Sequence, residues 1–168
     1  MLTGLPNRRA FDEAITSNWT RVEQYGEPFA IVLLDIDHFK RVNDTYGHAV
    51  GDDVLRRVAE AIGQQLRAAH PVFRTGGEEF AVIVPGSGLA EARAVAERLR
   101  ATVPVISVPV PGGEVNVTIS AGVTDSRGVG RPDEMLQAAD AALYRAKAAG
   151  RDRVISSGDV TDPAENAA

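Results

Sequence analysis

Three short stretches of this sequence carry side chains whose types and spacing could do chemistry. The first is Asp35-Ile36-Asp37, which closes the apolar run FAIVLLD at 29–35. Residues two apart on a strand share a face, so both carboxylates are expected to point the same way. Such a pair is either a turn signal or an oxygen site for a hard cation. The second stretch is Arg74-Thr75-Gly76-Gly77-Glu78-Glu79-Phe80. Its glycines let the backbone turn tightly or let a phosphate approach it closely. Adjacent glutamates on a strand face opposite ways, so a pair serving one site has to sit on the turn or its edge; otherwise both are solvated hairpin residues. The third is Lys147 and Arg151, four apart across the end of a helix. They either complement the helix dipole or clamp phosphates. Taken together, two carboxylate clusters and a cationic clamp make a plausible metal–triphosphate site.

The elements that must hold these residues can be read from periodicity. Pro6-Asn7 opens a helix with Phe11, Ile15 and Val22 on one face. The run 29–35 reads as a central strand. Leu55, Val58, Ile62 and Leu66 mark the inner stripe of a helix opened by Gly51-Asp52. The β-prone runs 72–75 and 79–84 flank Gly76-Gly77 as a hairpin. A helix carrying Ala92, Val95, Ala96, Leu99 and Val103 follows, and then a strand at 115–123. Pro132 opens a last helix with Leu136, Ala139, Leu143 and Ala146, stopped by Gly150. A hairpin amid alternating helices and strands argues against a doubly wound parallel sheet. The expected class is α+β: an antiparallel-centred sheet flanked by helices.

With 168 residues and 44% hydrophobic content, the chain is long enough for one domain with a core. Residues 1–155 are expected to form it, with 156–168 a polar, disordered tail or linker stub. There is no cysteine, which excludes disulfides and thiolate metal sites and fits a cytoplasmic setting. The balance of 18 basic against 23 acidic side chains, net −5, is the reverse of a nucleic-acid surface. No apolar run approaches the roughly 20 residues of a membrane span. The early entry into structure is expected of a piece of a longer protein, with a sensory or dimerising domain outside it.

The motifs, in order, resemble those of the GGDEF family of diguanylate cyclases. GGEEF at 76–80 is one form of that family's naming motif. LTGLPNRRAF at 2–11, LLDIDHFKRVNDTYGHAVGDDVL at 33–55 and ADAALYRAKAAGRDRV at 139–154 agree with it as well. The resemblance implies a fold similar to the catalytic palm of adenylyl cyclases and some polymerases. It implies condensation of two GTP into cyclic di-GMP and two pyrophosphates, with two Mg²⁺ or Mn²⁺ ions per active site. The metals map onto Asp35, the carbonyl of Ile36 and Glu78; Glu79 maps onto a position that binds metal or helps deprotonate the attacking 3′-hydroxyl. Guanine contacts map onto Asn43 and Asp52, the latter also a candidate helix cap. Triphosphate contacts map onto Lys40, Lys147 and Arg151, the amides of His38 and Phe39, and the turn at Gly76 and Gly77.

Each copy in such a family holds one GTP, which implies a transient homodimer. A product-inhibition site would map onto Arg67, His70 and Arg98, where histidine replaces the aspartate of the R-x-x-D pattern. Neutral imidazole is a poorer partner than carboxylate for arginine and for the guanine edge, so weak inhibition is expected. The rival readings are a domain that binds GTP or cyclic di-GMP without catalysis, and a cyclase with altered base choice. The retained Gly76, Gly77, Glu78 and Glu79 argue against the first, and Asp52 against the second.

Overall fold

Alternate residues of strand β1 (Phe29–Ile36) enter two different cores, because successive side chains of a strand point to opposite faces. A computed structural model describes residues 2–66 and 68–159. In it Ala30, Val32, Leu34 and Ile36 of β1 pack into one cluster with Val54, Leu55, Val58 and Ile62 of α3 (His48–Gln65). Ala92, Val95, Ala96 and Leu99 of α4 (Leu89–Thr102) complete that layer. Phe29 and Ile31 pack the other way, with Phe11, Ile15 and Trp19 of α1 (Arg8–Tyr25) and with Met135 and Ala139 of α5 (Pro132–Ala148). Trp19 lies edge-on to Phe29 within this second core.

The central sheet has the order β2-β3-β1-β6-β7, with β2 (Val72–Arg74), β3 (Glu79–Pro85), β6 (Ile119–Asp125) and β7 (Val154–Ser156). All neighbours run antiparallel except β6 and β7, which are parallel and joined through α5. The expected α+β class is what the chain adopts, and the hairpin spans the positions predicted for it. Asn7 caps α1 by accepting from the Ala10 amide.

Several elements differ from the sequence reading. Residues 39–46 form a separate helix, α2 (Phe39–Tyr46), and α3 begins at His48 rather than Gly51. The strand expected over 115–123 is two elements. Its start belongs to a small separate hairpin of β4 (Val108–Val110) and β5 (Gly113–Val115), and the central strand begins only at Ile119. The packed chain also runs past 155. Ser156 is buried in β7, and Asp159 pairs with Arg93 and accepts at Oδ2 from the Ser156 amide. The rest of the predicted tail, 160–168, lies outside the described residues.

One contact fixes α5 against the sheet. A Cβ on Gly122 of β6 would overlap the Ala139 carbonyl and the Leu143 amide. Helix backbone therefore rests directly on strand backbone at that point. Lys147 sits one turn beyond Leu143 on the same helix.

Candidate functional site

The register of β1 and β3 sets the acidic residues opposite one another. Asp35 is the cross-strand partner of Glu79, and the Ile36 amide donates to the Glu78 carbonyl at 3.2 Å. The Thr75 and Gly76 amides donate back to the Glu79 carbonyl at 2.9 and 3.3 Å, closing the 75–79 turn. Arg74 Nη2 donates to the Gly77 carbonyl at 2.6 Å and pins its tip. The Glu79 carboxylate folds over Gly76, where a Cβ would overlap it. The two glycines thus serve the turn, and the first also makes room for the Glu79 side chain.

Asp35 is 4% exposed, and its Oδ2 lies 2.7 Å from Lys147 Nζ. Burial raises its pKa above the ordinary carboxylate value; Lys147 opposes that shift and the nearby charge of Asp37 adds to it. Glu78 is raised too, first by burial and then by the charge of Asp35. Two carboxylates that resist being charged together, with an ammonium already drawn to one, form a place that favours a cation. The available donors are all oxygen, which suits Mg²⁺ or Mn²⁺ rather than a thiolate metal. Among the described residues there is no cluster of three or more His, Asp or Glu arranged as a metal cage. A carbonyl and solvent would have to complete any such shell.

A cavity of about 440 Å³ opens beside these groups. It brings together Asp35, Glu78, His38, Phe39, Lys40, Lys147 and Arg151, seven of the positions predicted from sequence. His38 is left-handed at φ 58° and leads into α2, so the first amides of that helix stand at the cavity. Lys40 pairs with Asp44 at 2.8 Å; both are exposed, so little free energy holds the lysine there. Arg151 also has a left-handed backbone, at φ 65°, just past the end of α5. Arg41 and Asp44 line the cavity as well; they fall inside the 33–55 stretch, but the sequence alone assigns them no role.

Other predicted residues lie apart from this cavity. Glu79 borders a small pocket of about 60 Å³ beside Arg8 and Asp140, so the adjacent glutamates serve different spaces, as opposite faces require. Gly76 borders a third depression, of about 300 Å³, formed with the 2–8 segment. Asn43 and Asp52 are half-buried at the α2–α3 junction, where the Asn43 amide lies directly against Gly51. Asp52 stands inside α3, five residues after Gly47 at its start, so it is not the cap of that helix. Arg98 donates to the Gln65 carbonyl at 3.0 Å, at the end of α3. His70 is half-buried in the bend before β2, and Arg67 lies outside the described residues.

Asp37 lies in the turn just past the end of β1 and has different company from Asp35. It is 3% exposed and accepts from Thr118 Oγ1 at 2.6 Å, Ser120 Oγ at 2.7 Å and the Asp152 amide at 3.1 Å. Its spacing from Asp35 is the one signal for it in the sequence, and that spacing offers a turn or a hard-cation site rather than this set of neutral donors.

Comparison with known proteins adds an independent line. The family described as "Diguanylate cyclase, GGDEF domain" matches residues 1–153. The chain is 43% identical over 153 residues to diguanylate cyclase DgcP of Pseudomonas aeruginosa, covering 91% of this chain and 23% of that protein. It is 44% identical over 157 residues to response regulator PleD of Caulobacter vibrioides, covering 92% and 35%. The chain thus spans about a quarter to a third of the length of these relatives. Its fold superposes with a TM-score of 0.89 on the crystal structure of the GGDEF domain of DgcB from Caulobacter crescentus, in complex with c-di-GMP. That match is 35% identical and covers 94% of this chain and 92% of the other.

Proposed function

The chain belongs to the diguanylate cyclase GGDEF domain family, and on that premise we propose that it condenses two GTP molecules into cyclic di-GMP with release of two pyrophosphates. The observation that carries this reading is the meeting of Asp35, Ile36 and Glu78 at one end of the β1–β3 pair, within reach of Lys147 and beside a cavity of about 440 Å³.

In this reading each copy binds one GTP. Lys147, Arg151 and Lys40 hold the triphosphate, joined by the His38 and Phe39 amides at the start of α2. Asn43 and Asp52 hold the guanine, whose N1–H and amino group suit a carboxylate acceptor that adenine could not satisfy. Asp35, the Ile36 carbonyl and Glu78 are the groups that would hold two Mg²⁺ or Mn²⁺ ions. Bound there, the ions would lower the cost of forming the ribose alkoxide and of charge building on the leaving pyrophosphate. Glu79, on its own side of the turn, takes up the 3′-hydroxyl proton. The freed oxygen attacks the α-phosphorus of the GTP on the other copy, and the bond from that phosphorus to pyrophosphate breaks. The reciprocal step closes the ring.

Because both nucleotides must face each other, the working unit is a transient homodimer of this chain. Product inhibition at Arg67, His70 and Arg98 is weak in this reading, since imidazole replaces the carboxylate that would pair with arginine. A cytoplasmic setting supplies GTP. Among the described residues, no helix is long and apolar enough to cross a membrane.

The deciding experiment incubates the chain with GTP and Mg²⁺ or Mn²⁺ at several protein concentrations and identifies the product by mass spectrometry. Cyclic di-GMP is expected, with specific activity rising as protein concentration rises. A folded chain that binds a GTP analogue but yields no dinucleotide at any concentration would make it a binding module instead.

A further inference from the structure

The two aspartates of the Asp35-Ile36-Asp37 stretch have divided their work. Asp35 reaches a cation, Lys147 Nζ, at 2.7 Å. Asp37 makes no ion pair among the described residues, and both of its oxygens are engaged by neutral donors. Oδ1 accepts from Ser120 Oγ, while Oδ2 accepts from Thr118 Oγ1 and from the Asp152 amide. The Asp37 amide also donates to the Thr118 carbonyl at 2.9 Å. Hydrogen bonds to an ionised acceptor are the stronger kind. A carboxylate only 3% exposed, with a donor on each oxygen and two on Oδ2, is stabilised as an acceptor by the protein itself.

The segments gathered by this one carboxylate matter. Asp37 lies between Ile36 and the His38–Phe39 amides. Its third donor belongs to the loop that carries Arg151. That loop has two successive left-handed non-glycine residues, Arg151 at φ 65° and Asp152 at φ 44°. L residues adopt this conformation reluctantly, so something outside the loop has to hold it. Asp152 supplies two anchors, its amide on Asp37 and its carboxylate on Arg100 Nη1 at 2.8 Å. Beside them, the Arg151 amide donates to the Ala146 carbonyl at 3.0 Å and the Arg153 carbonyl accepts from the Ala121 amide at 2.9 Å.

We propose that Asp37 is a positioning residue that fixes the Arg151 loop against the 36–39 segment, and so sets the spacing of the triphosphate clamp without binding metal or nucleotide. The inference rests on the GTP reading given above. It separates binding into two parts: the phosphate end depends on Asp37, and the guanine end at Asn43 and Asp52 does not.

The test uses the whole chain with Asp37→Ala and Asp37→Asn. Asparagine can keep all three contacts, its oxygen accepting from Thr118 and the Asp152 amide and its NH₂ donating to Ser120. Calorimetry would compare a non-hydrolysable GTP analogue with GMP, and Mn²⁺ alone would be titrated as a separate probe. Asp37→Ala is expected to weaken the triphosphate analogue about tenfold, the scale of one lost charge-assisted contact. GMP and nucleotide-free Mn²⁺ binding should stay within about twofold, inside the usual variation of a site left untouched. Asp37→Asn should recover most of the loss. Hydrogen exchange of the Asp152 amide should quicken in the alanine variant and remain slow in the asparagine variant.

Should Asp37→Ala fail to fold, Thr118→Val removes one donor and should give a smaller loss of the same kind. Equal loss of GMP and triphosphate affinity would overturn the proposal in favour of a merely structural role. Loss of Mn²⁺ affinity in Asp37→Asn would overturn it in favour of metal ligation. If the unmodified chain binds GMP and Mn²⁺ but not the triphosphate analogue, the GTP reading itself fails, an outcome distinct from both.

Discussion

Lys147 Nζ stands 2.7 Å from Asp35 Oδ2, so the side chain expected to clamp phosphate is in contact with the side chain expected to hold metal. The contact joins the penultimate residue of α5 to the end of the central strand. A lysine and a divalent cation cannot both occupy the same carboxylate oxygen at contact distance. In the nucleotide-free chain the ammonium would therefore compete with any metal at Asp35, and a triphosphate would draw it away.

Lys147→Met should accordingly tighten nucleotide-free Mn²⁺ binding severalfold while weakening a GTP analogue. Most substitutions at a binding site weaken every ligand, so opposite signs for the two are diagnostic. Calorimetric titration of each ligand alone would read this out. Weaker Mn²⁺ binding in the variant would mean that Lys147 assists the metal rather than competing with it.

The neighbouring glutamates should separate in the same assays. Glu78 lines the large cavity, and Glu79 borders a different pocket across the turn. Glu78→Gln should abolish metal-dependent binding of the analogue. Glu79→Gln should keep most of that binding and lose turnover by about 100-fold or more, the range for a general base. Equal loss of binding in both variants would erase the distinction.

Acidification should weaken the metal early. Burial raises the pKa values of Asp35 and Glu78 above the ordinary carboxylate range. A raised carboxylate pKa means that the folded chain holds the proton more tightly than the unfolded chain does. Without metal, the stability from these groups is full below the ordinary pKa and is lost as pH rises through the raised value. A bound divalent cation needs both groups ionised, so it has the opposite preference. Thermal melts with and without Mn²⁺ should show the metal's increment shrinking as pH falls, beginning above the ordinary carboxylate range. A constant increment down to that range would mean that neither group binds the ion.

Base choice should depend on Asp52, half-buried beside the Gly51–Asn43 contact. Asp52→Ser shortens the acceptor that suits the guanine edge, and discrimination against ATP should fall. A site built around a hydrogen bond can reject an analogue lacking its partner by several orders of magnitude. Competition between GTP and ATP in the folded variant measures the change. An unchanged ratio would assign Asp52 to the packing of α3 alone.

What the sequence disclosed and what it withheld follow from separation along the chain. Helix α5 and the 72–85 hairpin announce themselves through nearby residues: Pro132 at the first helical turn, paired glycines between β-prone runs. Helix α2 was missed because FKRVNDTY buries only Phe39 and Val42, too few for a helical stripe. The strand predicted from 115 merged two elements, since apolar Val115 and Val117 bridge a gap that hydrogen bonding does not. The charged members of the site were legible as residue types in short motifs. The role of Asp37 was not, because its partners lie 81, 83 and 115 positions away.

The bare contact at Gly122 acts as a mechanical bearing. With strand backbone meeting helix backbone, there is no side chain between them whose size could be trimmed to adjust the fit. The height of the α5 backbone above β6 is therefore set by main-chain geometry, which is stiff, and the Lys147 rotamer closes what distance remains to Asp35. A single added methyl at Gly122 would act as a shim, lifting the middle of α5 away from β6 at Ala139 and Leu143. Beneath that helix the fit can only be loosened and never tightened, because glycine is already the smallest residue.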